Sequence, residues 1–210
     1  MPAVVGGTRS ERKRSLILAA ARDIFTREGF AQAGMEQVAR LAGVSTATLY
    51  AHFPSKAELF RVVVETAIAD LAGAVPAAAA VEGGARRRLE SFATAYAAFY
   101  SDRTSRALFR MVIAERRRFP DLAEHFRSRG RRELGGTAVT LIRDLVEAGD
   151  LSVERVGHAA GQLQGMIEHA TLLLGLIEGD EAQTSRSPAE IAADAVDTFL
   201  ARYGVRETAG

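Results

Sequence analysis

Apolar residues recur along this chain at intervals of three and four, the period of a helix laid against a core, and no segment alternates with period two as a half-exposed strand would. The pattern predicts an all-helical protein. Ile17, Ala20, Ala21 and Ile24 line one face of a first helix over residues 10–28, which ends before Gly29. Met35, Val38, Ala39 and Ala42 line a short second helix, with Gly34 as a weak cap. Gly43 stands where that helix must close on a left-handed residue, and Ser45 is placed to cap a third. Val44 and Leu49 bracket the cap as a hydrophobic staple. The third helix ends near Phe53, because Pro54 disfavours helical geometry in the residue before it. Ser55-Lys56-Ala57-Glu58 then reads as a capping box opening a fourth. Two short helices joined by a glycine turn are a helix-turn-helix. Leu49 and Phe53, four apart, face inward and leave Thr46, Ala47, Thr48 and Tyr50 outside.

Further along, the fourth helix is expected to run to residue 73, and AVPAAAAVEGG reads as a linker or frayed end. A fifth helix reaches residue 102 with Leu89, Phe92, Tyr96 and Phe99 on one face and Tyr100 beside them, in a chain that is only 7% aromatic. Such a stripe serves a core, and a pocket cut from that core uses the same residues. Residues 152–179 keep helical periodicity despite Gly157, Gly161 and Gly165. Each interior glycine costs roughly 1 kcal/mol relative to alanine, so a bare face at four-residue spacing needs a reason, which close approach of another helix supplies. That helix can come from this chain or from a second copy. Ser187-Pro188-Ala189-Glu190 is another capping box, opening a last helix to residue 203 with Ile191, Ala195, Val196 and Phe199 on its apolar side.

Charge changes the picture only when it is divided. The 210 residues carry a net +1, but residues 1–56 hold eight Lys/Arg against four Asp/Glu and the remainder 19 against 22. A basic head on a mildly acidic body points to a polyanion at one end. The outward residues of the third helix are small, hydroxylated and nearly free of bulky charge, which suits entry into a major groove, where threonine can donate, accept and touch a thymine methyl. Ser45, at the cap, belongs to the same surface. The leader MPAVVGGTRSERKR, expected to be disordered, brings Arg9, Arg12, Lys13 and Arg14 to this end and could reach backbone or minor groove. The absence of cysteine excludes a disulfide framework, a thiolate zinc site and a cysteine nucleophile, and fits a reducing cytoplasm. No apolar stretch reaches the roughly 20 residues that span a bilayer, so no membrane partner is expected.

Gly29-Phe30, Val38-Ala39, Ala42-Gly43-Val44-Ser45, Thr48-Leu49-Tyr50, Phe53 and Ser55-Lys56 resemble, in order and spacing, the signature of the TetR family of one-component repressors. That resemblance divides the chain into an N-terminal arm with a three-helix DNA-binding domain, residues 1–56, and a helical effector-binding and dimerisation domain, residues 57–210. It implies phosphate contacts from Tyr50, His52 and Lys56 and base contacts from Thr46, Ala47 and Thr48. Lys56 also stands at a helix N-terminus, where free amides favour an anion. The chain departs from the family pattern at Ala33-Gly34, where hydroxyl residues are usual, and at Ala47, where glycine is usual. The run FRMVIAERRRFPDLAEHF, residues 109–126, resembles AefR-like members in its C-terminal domain, including the break at Phe119-Pro120. Arg116, Arg117 and Arg118 read as exposed charge.

The expected partners are double-stranded operator DNA, a second copy of the chain and an unidentified small-molecule effector. Phe92, Tyr96, Phe99 and Tyr100, with Met166, His169 and Leu173, supply the walls and polar anchors of an effector cavity. Gly157, Gly161 and Gly165, with Ile191, Ala195 and Phe199, form the dimer interface, since the family pairs its last two long helices with their two-fold mates. The fourth helix, beginning at Lys56, would carry the signal. No cofactor, metal or catalytic residue is expected. His158 and His169 lie eleven residues, about 16 Å, apart on one helix and cannot share an ion. The loop EGDE at 178–181 lacks calcium-ligand spacing, and no nucleophile elbow, His-Glu-x-x-His or phosphate-binding glycine loop occurs. The alternative is a helical protein-interaction module without specific DNA binding.

Overall fold

The structure is a computed structural model that describes residues 8–178 and 186–205, less the side chains of residues 68, 70–74 and 178. It is all-helical apart from one isolated bridge between Leu151 and Gly204. The chain forms two compact units, Met1–Ala67 with Met111–Ala123, and Ile68–Arg110 with Glu124–Gly210. The first thus extends beyond residue 56 and takes back a later segment.

The first unit opens with α1, Arg9–Gln32, capped by Thr8, whose hydroxyl accepts from Glu11 N while Glu11 reaches back to the Thr8 amide. Arg9, Arg12, Lys13 and Arg14 are therefore helical and not a disordered tail, because Thr8 and Glu11 supply a capping box that outweighs the run of like charge. The remainder of the leader, residues 1–7, lies outside the described residues. The helix breaks at Gly29, whose φ of 76° is open to glycine at little cost, and Phe30–Gln32 add one last turn. α2, Met35–Leu41, starts at Gly34, whose amide donates to Gln37 Oε1 at 2.8 Å. Gly43, at φ 67°, turns the chain, and Val44 N donates to Ala39 O at 3.0 Å to close the helix end. α3, Thr46–His52, and α4, Lys56–Ala79, follow. Ile17, Ile24, Phe25, Leu49, Phe53, Leu59 and Phe60 are buried. The later segment is the end of α6, Arg103–Glu115, the turn after it and the start of α7, Pro120–Gly130. Its Phe119 ring stands 5.0 Å from Phe30 and 5.4 Å from Phe60.

In the second unit α5, Ala85–Ser101, packs along α11, Pro188–Tyr203, and against α8, Gly136–Glu147, and α9, Val156–Glu168. Leu89, Phe92, Leu141, Ile142, Leu163, Ile167, Val196 and Phe199 fill the core between them. Two expectations change here. α4 runs through Pro76 to Ala79, past the expected end at residue 73, because Val75 and Ala79 are buried in this core and alanines favour the helix on either side. The break falls instead at Gly83, φ 133°. The helix expected from residue 152 starts at Val156, since Ser152 N donates to Tyr203 O at 2.8 Å and Val205 N to Asp150 O at 3.1 Å, tying residues 150–152 to the end of α11. It is also interrupted: after α9 comes a π-helical turn, His169–Leu173, and then α10, Leu174–Glu178. A second π-helical turn, Arg131–Gly135, joins α7 to α8. The EGDE loop lies almost wholly outside the described residues.

The left-handed turn is the fragile point of the helix-turn-helix. A Cβ at Gly43 meets nothing within 4 Å, so Gly43→Ala loses about 1 kcal/mol through backbone conformation alone. Gly136→Ala, at helical φ −61° and with equally open space, raises stability by about 0.5–1 kcal/mol. Urea unfolding midpoints of the two variants should move in opposite directions.

Candidate functional site

The start of α3 is fixed by one pair of hydroxyls. Ser45 Oγ accepts from Thr48 N at 3.1 Å and shares a hydrogen bond with Thr48 Oγ1 at 2.9 Å. Thr48 is half-buried and its hydroxyl is engaged in the cap, whereas Thr46, Ala47 and Tyr50 are exposed on the face opposite buried Leu49 and Phe53. Ala51 shares that exposed surface and was not singled out from sequence. The face offers a hydroxyl, methyls and a phenol, chemistry that suits base edges and phosphates. His52 is half-buried, its ring 6.4 Å from that of Phe53. Arg14 places its guanidinium 5.3 Å from the Phe53 centroid, so the basic start of α1 lies beside the end of α3.

Lys56 has an internal role that spacing did not reveal. Its ammonium donates to Ala31 O at 2.9 Å and to Ala33 O at 2.6 Å, and stands 4.8 Å from the centroid of Phe30. Burial, and then the nearby Arg118, push its pKa below the ordinary lysine value. Two of its three N–H groups thus satisfy carbonyls in the turn after Gly29, and only the third remains for a phosphate. The partners lie 25 and 23 residues away, beyond the reach of any local motif. Arg118, expected as plain exposed charge, places its guanidinium 4.8 Å from the centroid of the same Phe30 ring.

The second unit contains a cavity of about 360 Å³. Phe99 and Tyr100 line it as expected. Tyr96 lies behind Tyr100 and donates to Glu168, while Phe92 is stacked on Tyr96 at 5.5 Å within the core. Burial raises both tyrosine pKa values well above the ordinary phenol range. Met166, His169 and Leu173 do not line the cavity. The core-facing residues are Leu163, Ile167 and Thr171, all fully buried and four apart. That step drifts by about 40° per turn in an α-helix, and the extra residue of the π-helical turn takes up the drift. His169 and Leu173 are consequently exposed, and Glu168 and Leu172 reach the cavity instead. The other walls come from Phe109, Phe126 and Leu134, with Arg127, Arg129, Arg131 and Glu133. Phe109 and Phe126 are the two ends of the AefR-like run, the one signal in the sequence that reached them.

Gly157, Gly161 and Gly165 are exposed, and a Cβ built on any of them meets nothing within 4 Å. No helix of this chain uses that bare face. Ile191, Ala195 and Phe199 must be withdrawn from the expected interface: they are buried against α5 and α9 inside the subunit, where α11 spends its whole apolar side. The exposed positions of α11 include Asp194, Thr198 and Ala201.

Residues 17–63 match the family model described as bacterial regulatory proteins, tetR family, and residues 87–205 match that of the AefR-like transcriptional repressor, C-terminal domain. The chain belongs to the TetR family. A TetR-family regulator from Mesorhizobium loti superposes with a TM-score of 0.83 at 28% identity, covering 95% of this chain and all of that one. The flavonoid-responsive regulator FrrA gives 0.68 at 27%, covering 93% and 99%. The HTH-type transcriptional activator FasR of Mycolicibacterium smegmatis is 36% identical over 88 residues, 42% of this chain and 40% of FasR. The match thus spans less than half of that curated relative. TetR-family regulators bind operator DNA, are dimeric and respond to small-molecule effectors. Among the described residues no helix is long and apolar enough to cross a membrane.

The internal role of Lys56 separates stability from DNA contact. Lys56→Met leaves the carbonyls of Ala31 and Ala33 without their donor and should lower unfolding free energy by about 2 kcal/mol, whereas Thr46→Ala, on the exposed face, should change it by less than about 0.5 kcal/mol. Denaturant titrations followed by circular dichroism measure both.

Proposed function

We propose that the protein is a homodimeric transcriptional repressor that reads a palindromic operator through α3 and leaves it when a small molecule occupies the cavity of the second unit. The observation that carries this reading is the exposed, small-residue face of α3, held at a fixed angle by Gly43, the Ser45 cap and buried Leu49 and Phe53. Repression, as opposed to activation, is supported by the AefR-like match over residues 87–205; the activator FasR matches over a shorter stretch.

One chain supplies one recognition helix, and a palindrome needs two, a helical turn or a multiple of it apart. The glycine face of α9 supports a two-fold pairing. Further along the same helical run Leu173, Leu174 and Ile177 are 47%, 37% and 74% exposed, an unpaired apolar surface of the kind that marks an interface.

A ligand releases DNA only through a difference in affinity between two forms of the protein, and tenfold release requires about 1.4 kcal/mol. The chain passes between its two units three times, each time inside a helix: α4, α6 and α7. α4 was the expected carrier of the signal. The α6–α7 hairpin has an equal claim, since Phe109 and Phe126 line the cavity and Phe119, between them, belongs to the aromatic cluster of the first unit.

Selection of bound fragments from genomic DNA of the source organism tests the reading: recovery of a few sites with inverted-repeat symmetry supports it, and uniform recovery removes it. Thr46→Ala should change preference at one or two base positions of the recovered site by about 1–3 kcal/mol each. Gly161→Leu places a bulky side chain on the bare face and should convert a dimer at micromolar concentration into monomer, read by light scattering, with loss of operator binding.

A further inference from the structure

The cavity of the second unit carries more polar chemistry than its apolar walls require, and part of it is already satisfied by the protein. Arg127 donates from Nε at 2.8 Å and from a second nitrogen at 2.5 Å to the two oxygens of Glu124. Tyr96 donates to Glu168 Oε1 and accepts from Gln164 Nε2 at 3.1 Å. What remains is specific. Arg129 Nε is buried without a hydrogen bond, and its ion-pair partner, Glu133 Oε1, stands 3.7 Å away, beyond hydrogen-bond reach. Buried donors in folded proteins are almost always paired, so this one calls for an acceptor. Arg131 lines the same cavity, and no carboxylate of the described residues pairs with it. Glu168 has one oxygen engaged by Tyr96 and lines the cavity as well. With the Tyr96 proton committed to Glu168, Tyr100, 3.5 Å away, keeps its own.

The apolar walls have a shape preference of their own. Tyr100 and Phe109 stand 5.4 Å apart, and Phe109 meets Phe126 edge-on at 4.8 Å. Rings so disposed favour another planar ring in offset or edge contact. At about 360 Å³ the space lies near the lower end of the range for small-ligand sites, enough for one or two rings and too little for a long flexible chain. Two π-helical turns border it, one contributing Arg131, Glu133 and Leu134 and the other Leu172. Widened turns of this kind concentrate at functional sites.

The geometry points to a compact aromatic carboxylic acid as the ligand of this cavity, its ring among Phe99, Tyr100, Phe109 and Phe126, its carboxylate accepting from Arg129 Nε and facing Arg131, and a ring hydroxyl donating to Glu168. The inference rests on the reading of the cavity as the effector site and adds the chemistry of the effector. A cationic amine would meet three guanidinium groups, and an aliphatic acid would use Arg129 while leaving the ring walls poorly filled.

Calorimetry on the full chain tests it with para-hydroxybenzoate and para-coumarate, their primary amides, the acids lacking the hydroxyl, and octanoate. The acids should bind, with the amides about tenfold or more weaker, since the exchange removes one charge-assisted hydrogen bond. Octanoate should bind more weakly than either aromatic acid. Arg129→Gln should abolish the difference between acid and amide, and Glu168→Gln the preference for the hydroxylated acid. Equal binding of acids and amides, no acid binding at millimolar concentration, or an acid preference that survives Arg129→Gln would overturn the proposal, and a hydroxyl preference that survives Glu168→Gln would overturn the role of Glu168. Should Arg129→Gln fail to fold, the acid–amide comparison on the unmodified chain decides. A mobility shift with selected operator fragments keeps the two readings apart. Acid that binds without releasing the operator sinks the effector reading and leaves the ligand chemistry standing, whereas release by a neutral or cationic molecule that competes for the cavity sinks the ligand chemistry alone.

Discussion

Two cations stand 4.8 Å from the centroid of a single buried ring, Phe30, and the first unit is organised around that arrangement. Lys56 and Arg118 repel one another, and neither would settle there without compensation. The ring supplies part of it through its negative face, and the carbonyls of Ala31 and Ala33 supply the rest for Lys56. Those carbonyls are available only because Gly29 stops α1 and leaves a turn whose oxygens point away from the helix ladder. Phe25, Phe60 and Phe119 then close around Phe30 at 6.0, 4.9 and 5.0 Å. The end of α1, the start of α4 and the turn between α6 and α7 are thereby held together, and α2 and α3 are built on that base. A glycine, a lysine and an arginine that look like punctuation and surface charge are one assembly.

The helix-turn-helix was legible because everything that shapes it is local. Gly29, Gly43, Ser45 and Pro54 act within four residues of themselves, through backbone conformation and capping, and the helix boundaries they imply are those of the structure to within a residue or two. The inward pair Leu49 and Phe53 followed from period alone. The second unit was less legible for the converse reason. The aromatic stripe of α5 was found, but which of its members face a cavity depends on α6, α7 and the π-helical turns, none of which announces itself in a window of residues. A π-helical turn adds one residue and rotates all that follows, so Met166, His169 and Leu173 were assigned to the wrong side while Glu168 and Leu172 were passed over. For α11 the apolar side was identified correctly and given to the wrong neighbour: period says which face is buried and not against what. Pro76 misled in the opposite way, because a local breaker was overruled by the burial of Val75 and Ala79.

The bare face of α9 also bears on how the subunit is stabilised. Gly161 and Gly165 sit inside the helix and meet no atom of their own chain, so together they forgo about 2 kcal/mol of helix stability that alanine would supply. Nothing within the subunit returns it. If a second copy fills that face, the return arrives through mass action, and the free energy of folding takes on a term in protein concentration. Dilution would then loosen α9 itself, and a wall of the cavity with it, so that ligand affinity and subunit association become linked quantities.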